Sequence, residues 1–165
     1  MRIYVPATLD ELDTAVVGSV TRWPVGPRGA HAVTRALAGE LADADDEGRE
    51  YAAFLAAADD SLSLVAGRPG VPPVRVVVSV DVEQDVVGVD PEGASASSVQ
   101  LLRDVPDVPL AAVHVDEPTA ADDVRAVLTA IDADDDEALA EAVQRVTDRD
   151  LLWYDPSEIG QIPRP

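Results

Sequence analysis

Two histidines, His31 and His114, are the side chains of this chain best suited to acid–base or metal chemistry, because imidazole changes charge near neutral pH. Each sits among apolar residues, in Ala30–Val33 and in Ala111–Val115, and both settings predict short strands. Asp116 follows His114 by two residues and therefore shares its strand face. If those strands are neighbours, His31, His114 and Asp116 form a two-histidine, one-carboxylate metal site, or a base with its orienting acid. The competing reading is a pair of half-buried imidazoles hydrogen-bonded to backbone.

Carboxylates offer a second possibility. Asp81, Glu83 and Asp85 alternate after a strand and could gather round a cation on one face, with Glu92 at the distance of a calcium loop's last ligand. Val86 stands where such a loop needs its turn glycine, and a charged strand edge explains the same residues. The runs "DADDEG" at Asp43–Gly48 and "DADDDE" at Asp132–Glu137 echo a calcium loop too. Phe54 and Val143 occupy the positions that need a bidentate carboxylate, so both runs read as acidic first turns complementing helix dipoles. The sequence implies no bound metal and no cofactor.

Nucleophilic signatures are lacking. No Gly-x-Ser-x-Gly elbow is present, and Ser95, Ser97 and Ser98 fall in a stretch without pattern. Neither "GPRG" nor "GRPG" continues into a phosphate-cradling loop. Arg22, Arg28 and Arg35 cluster in sequence near Trp23 and could hold an anionic ligand, since guanidinium grips carboxylate and phosphate bidentately. Charge-balancing surface arginines are the alternative.

The elements that must position these residues follow from pattern. Arg2–Val5 reads as a strand ended by Pro6. Thr8 and Glu11 form a capping box for a helix carrying Leu9, Leu12 and Val16, with Gly18 as its stop. Ser19–Gly29 reads as a loop. Thr34 caps a helix with Leu37 and Leu41, and a longer helix after Asp43–Glu47 repeats Tyr51, Phe54, Leu55, Ala58, Leu62 and Val65 on one face. Val74–Val82 is the strongest strand, Val86–Ser98 a surface loop, and Val99–Leu102 and Ala111–Val115 strands. Helices are predicted over Pro118–Ile131 and from Asp134 onward, then a strand at Leu151–Tyr154. The expected fold is of the α/β (α+β) type, a mixed sheet of about five strands with helices packed against it. A ferredoxin-like core is the nearest named architecture. Residues 1–155 are read as one domain and 156–165 as a flexible tail.

Composition narrows function. Among 165 residues there are 32 acidic and 12 basic ones, the basic ones all arginine, giving a net charge of −20. Such a chain repels phosphate backbones, which argues against nucleic-acid binding. Without lysine there is no side-chain Schiff base, and without cysteine no thiol chemistry or disulfide. No apolar run approaches the roughly 18 residues of a membrane span, and the start lacks a signal core, so a cytoplasmic setting is expected.

"YVPAT" at the start, "AHAVT" at Ala30–Thr34, "YAA" at Tyr51–Ala53, "VPLAAVHVD" and "LLWY" at Leu151–Tyr154 resemble an uncharacterised protein family of actinobacteria. The resemblance spans nearly the whole chain and implies no activity, cofactor or catalytic residue. Where that pattern has Thr-Pro, this chain has Thr34-Arg35, which loosens the helix start. Residues and resemblance together favour an acidic interaction or regulatory module without catalysis, with a basic protein as partner. The alternative is a small-molecule or metal-dependent enzyme using His31, His114 and nearby carboxylates.

Overall fold

The computed structural model describes residues 1–90 and 93–165. Eight strands form one sheet: β1 (Arg2–Ala7), β2 (Arg22–Val25), β3 (Gly29–His31), β4 (Val76–Asp81), β5 (Val87–Val89), β6 (Ser98–Leu101), β7 (Val105–Asp116) and β8 (Leu151–Tyr154). Their order is β2-β7-β4-β1-β3-β6-β5, with β8 also on β7. Every pairing is antiparallel. The class is α+β as expected, but the sheet has eight strands rather than about five and is not mixed. Its order is also not that of a ferredoxin-like core.

Four α-helices accompany it: α1 (Arg35–Glu40), α2 (Asp46–Gly67), α3 (Ala121–Asp132) and α4 (Asp136–Thr147). Three of the starts, those of α1, α2 and α4, are capped by side chains. The Thr34 hydroxyl accepts from Leu37 N–H, and Asp45 and Asp135 carboxylates accept from Gly48 and Ala138 N–H. Both "DAD" runs are thus helix starts. The second helix begins at Asp136, two residues later than predicted, because Asp134 takes a left-handed φ of 52° as the chain turns.

One sheet face closes a large aliphatic core of Ile3, Val5, Val78, Val80, Val113 and Trp23, among others. On the other face α2 lies over Tyr4 and Val77 through Ala53, Ala57 and Ala58. Its C-terminal half then packs on α3 and α4 through Leu62, Val65, Val124 and Val146. β4 is buried on both faces, which is why it reads as a near-continuous valine run.

Several expectations change. β1 continues through Pro6, whose carbonyl accepts from the Arg28 guanidinium at 2.8 Å. N–H and C=O of one strand residue point the same way, so the missing proline donor also faces away from β4 and that ladder loses nothing. Leu9–Thr14 is a 3-10 turn rather than an α-helix, and Val16 is exposed. β2 and β5 occupy stretches read as loops. On α2, Tyr51 and Leu55 are exposed while small residues face the sheet. The segment expected to fray carries a 3-10 turn, Pro156–Gln161, with Ile159 and Ile162 buried in the main core.

Candidate functional site

The two histidines do not meet. His31 on β3 pairs with Tyr4 of β1, and His114 on β7 pairs with Val77 of β4. Both face the helical layer, yet β1 and β4 lie between them: three strand spacings, roughly 14 Å at about 4.8 Å each. α2 sits on those two intervening strands, so the imidazoles flank it on opposite sides. The joint histidine site is therefore not formed. Asp116 is removed from it as well, being buried and bound bidentately by Arg75, with contacts of 2.8 to 3.2 Å.

The other candidates also part. Asp81 pairs with Arg2 and Asp85 with Arg103, while Glu83 precedes a 3-10 turn at Gln84–Val86. Glu92 lies outside the described residues. Among the described residues no group of three or more acidic or histidine side chains is placed to hold a metal ion. Arg22 pairs with Asp107, Arg28 with Glu11, and Arg35 stands exposed on α1. Trp23 is core, its indole N–H donating to the Glu11 carbonyl at 3.1 Å. Arg28 and Arg35 line two different cavities. Burial pushes the Glu11 carboxyl up, but hydrogen bonds from Arg28 and the Thr8 N–H outweigh it and hold the group below its ordinary value.

What the fold does build around His114 is a groove of about 530 Å³, within the range of ligand sites. α2 supplies Glu47, Glu50, Tyr51 and Phe54, spaced as one helical face. The sheet supplies Tyr4, Ser79, Ala112, His114 and Trp153, which share a face by register. Ser79 and Ala112 are small and leave room beneath the helix. Four of the chain's six aromatic residues line this groove. Phe54 lies edge-on to the His114 ring at 4.8 Å and stacks with Tyr51 at 6.1 Å. Trp153 and Tyr51 nevertheless remain 59% and 54% exposed, unusual for large rings.

The electrostatics are one-sided. Arg2, the groove's only cation, is held by Asp81 at 2.8 Å, whereas Glu47, Glu50 and Asp150 take part in no ion pair among the described residues. The Tyr4 hydroxyl donates to Glu50 at 3.3 Å, and burial with that carboxylate pushes its pKa up to about 12. Burial lowers the His114 pKa, with the Val77 backbone acting weakly the other way, and its Nδ1 is buried without a partner. A folded pKa below the unfolded value near 6.5 means the unfolded chain binds more protons. His114 thus contributes stability that is complete above about pH 6.5 and is lost as pH falls toward the folded value. Replacing His114→Phe should flatten the urea-stability profile between pH 7 and 5, by up to about 1.4 kcal/mol per pH unit.

Sequence reasoning missed this groove because Tyr51 and Phe54 fit a core stripe, and nothing local says that the sheet beneath them is left open. A serine–histidine network at His31 was missed for a similar reason. The Ser97 hydroxyl lies 2.8 Å from His31 Nδ1, and Asp60 lies 3.0 Å from Nε2. Those partners are 66 and 29 residues away.

Among the described residues no helix is long and apolar enough to cross a membrane. No curated protein and no solved structure matches the chain. The model of a family described as "Family of unknown function (DUF6912)" matches residues 1–162, and the chain belongs to that family.

Proposed function

We propose that this protein is an acidic binding module of the cytoplasm that receives a basic, apolar-containing segment of a protein partner in the aromatic groove. The observation that carries the reading is the convergence of exposed Trp153 and Tyr51 with the carboxylates Glu47, Glu50 and Asp150, which form no ion pair among the described residues. Arginine or lysine heads bind well over aromatic faces, by about 0.5–2 kcal/mol per contact, and carboxylates at the rim add long-range attraction. Apolar side chains of the same segment would cover the rings. The net charge of −20 supports fast, salt-sensitive capture of such a partner.

The test uses a short peptide of alternating arginine and leucine, titrated against the whole protein with calorimetry as readout. Saturable binding is expected, weakening as salt rises from 0.05 to 0.5 M (about a threefold fall in the Debye length). Trp153→Ala should weaken it about tenfold or more, in the range of an interface hot spot. Equal binding of a glutamate–leucine peptide, or full affinity in Trp153→Ala, would refute the reading.

A further inference from the structure

On the other flank of α2, the His31 network opens into a separate cavity of about 380 Å³ whose lining includes His31, Asp59, Asp60, Gly93, Ser95 and Ser98. Its hydrogen bonds form a chain. Asp60 Oδ2 is 3.0 Å from His31 Nε2, His31 Nδ1 is 2.8 Å from Ser97 Oγ, and Ser97 Oγ is 2.8 Å from Ser95 Oγ. The direction of the chain follows from its acidic end. A carboxylate only accepts, so with a neutral imidazole Nε2 carries the proton and Nδ1 presents its lone pair. Ser97 must then donate to His31, which leaves its oxygen to accept from Ser95.

The serine at the open end is held in place. Ser95 N–H donates to Ser98 Oγ at 3.2 Å, and the Ser95 and Ser98 hydroxyls lie 3.0 Å apart. Gly93 is needed for this approach, since a Cβ there would fall 2.2 Å from the Ser98 Cβ. Ser97 is buried, 2% exposed, and cannot meet a substrate, whereas Ser95 is exposed at the cavity.

We propose that Ser95 is an activated nucleophile that accepts an acyl group from small uncharged or cationic esters. Its Oγ forms the bond to the carbonyl carbon while its proton passes to Ser97, and the Ser97 proton passes to His31 Nδ1. Asp60 stabilises the resulting imidazolium at Nε2. The ester C–O bond breaks and the leaving oxygen takes the proton that His31 returns through Ser97, so hydroxyl plus ester gives acyl-serine plus alcohol. His31, Ser97 and Asp60 act through Ser95 and are positioning residues. The carboxylates of Asp59 and Asp60 in the wall exclude anionic substrates. This site is independent of the aromatic groove, so either reading stands without the other.

The probe is p-nitrophenyl acetate with the full-length protein. One acetyl group is expected on Ser95, located by peptide mass spectrometry, and none in Ser95→Ala. Asp60, whose side chain is largely exposed, can be changed with little risk to folding. Asp60→Asn should slow acetylation about a hundredfold, as loss of general-base support does, and Asp60→Glu should restore most of it. His31→Gln should match Asp60→Asn. Acetylation at other residues only, or a wild-type rate in folded Asp60→Asn, would overturn the proposal.

Discussion

Asp116→Ala should destabilise the protein by about 3–5 kcal/mol, because it leaves the buried Arg75 guanidinium without its counter-ion. Both side chains are buried, and the pair is densely bonded. Asp116 accepts from the Arg75 backbone N–H at 2.8 Å as well as from its side chain, and Arg75 also donates to the Arg149 carbonyl at 2.9 Å. The cluster therefore ties the start of β4 and the end of β7 to the turn between α4 and β8. Natural domains hold only about 5–15 kcal/mol in total, so the single variant should unfold at a much lower urea concentration. Pairing Arg75→Met with Asp116→Leu should recover most of the loss, since buried ion pairs rarely exceed an apolar replacement in net worth. An unchanged midpoint for Asp116→Ala would show that the charge escapes to solvent.

Trp23→Ala should cost a comparable amount, about 3–5 kcal/mol, through the cavity left in the aliphatic core. In a chain with so few aromatics no neighbouring ring can fill the gap. Trp23→Phe should cost clearly less. It keeps most of the volume and loses one hydrogen bond, about 0.5–1.5 kcal/mol, while the Glu11 carbonyl still accepts from the Thr14 hydroxyl at 2.8 Å. The two tryptophans make this readable by fluorescence. Trp23 emits from the core and Trp153 from an exposed strand, so Trp153→Phe gives a background in which emission reports the core alone. A loss below about 1 kcal/mol for Trp23→Ala, measured by thermal unfolding, would mean that the core collapses around the gap.

What the sequence revealed was governed by distance along the chain. The caps at Thr34 and Asp45 are bonds within three residues, so the residue types alone announce them. The valine run of β4 and the Leu151–Tyr154 strand are likewise local. β2 was invisible because its Arg-Trp-Pro-Val is strand-like only when laid on β7 some 85 residues later. The first half of β7 holds Pro106 and Pro109, which read as a break. The same rule hid both sites. Ser95 and Ser97 are unremarkable until His31 arrives from another strand, and Tyr51 and Phe54 look like core residues until the floor of Ser79 and Ala112 is known. The histidine pairing failed because strand order, which no local pattern encodes, put β1 and β4 between them.

β1 occupies the middle of the sheet although it is the first strand in chain order. Its longest ladder is with β4, from Arg2↔Asp81 to Ala7↔Val76, so the nascent chain must reach Asp81 before that ladder can close. Until then Ile3 and Val5 have no lasting shelter. Folding of this sheet therefore has to close a long loop before its central ladder forms, which makes it slow. The charge repulsion that shapes its surface also serves to keep unfinished copies from adhering to one another.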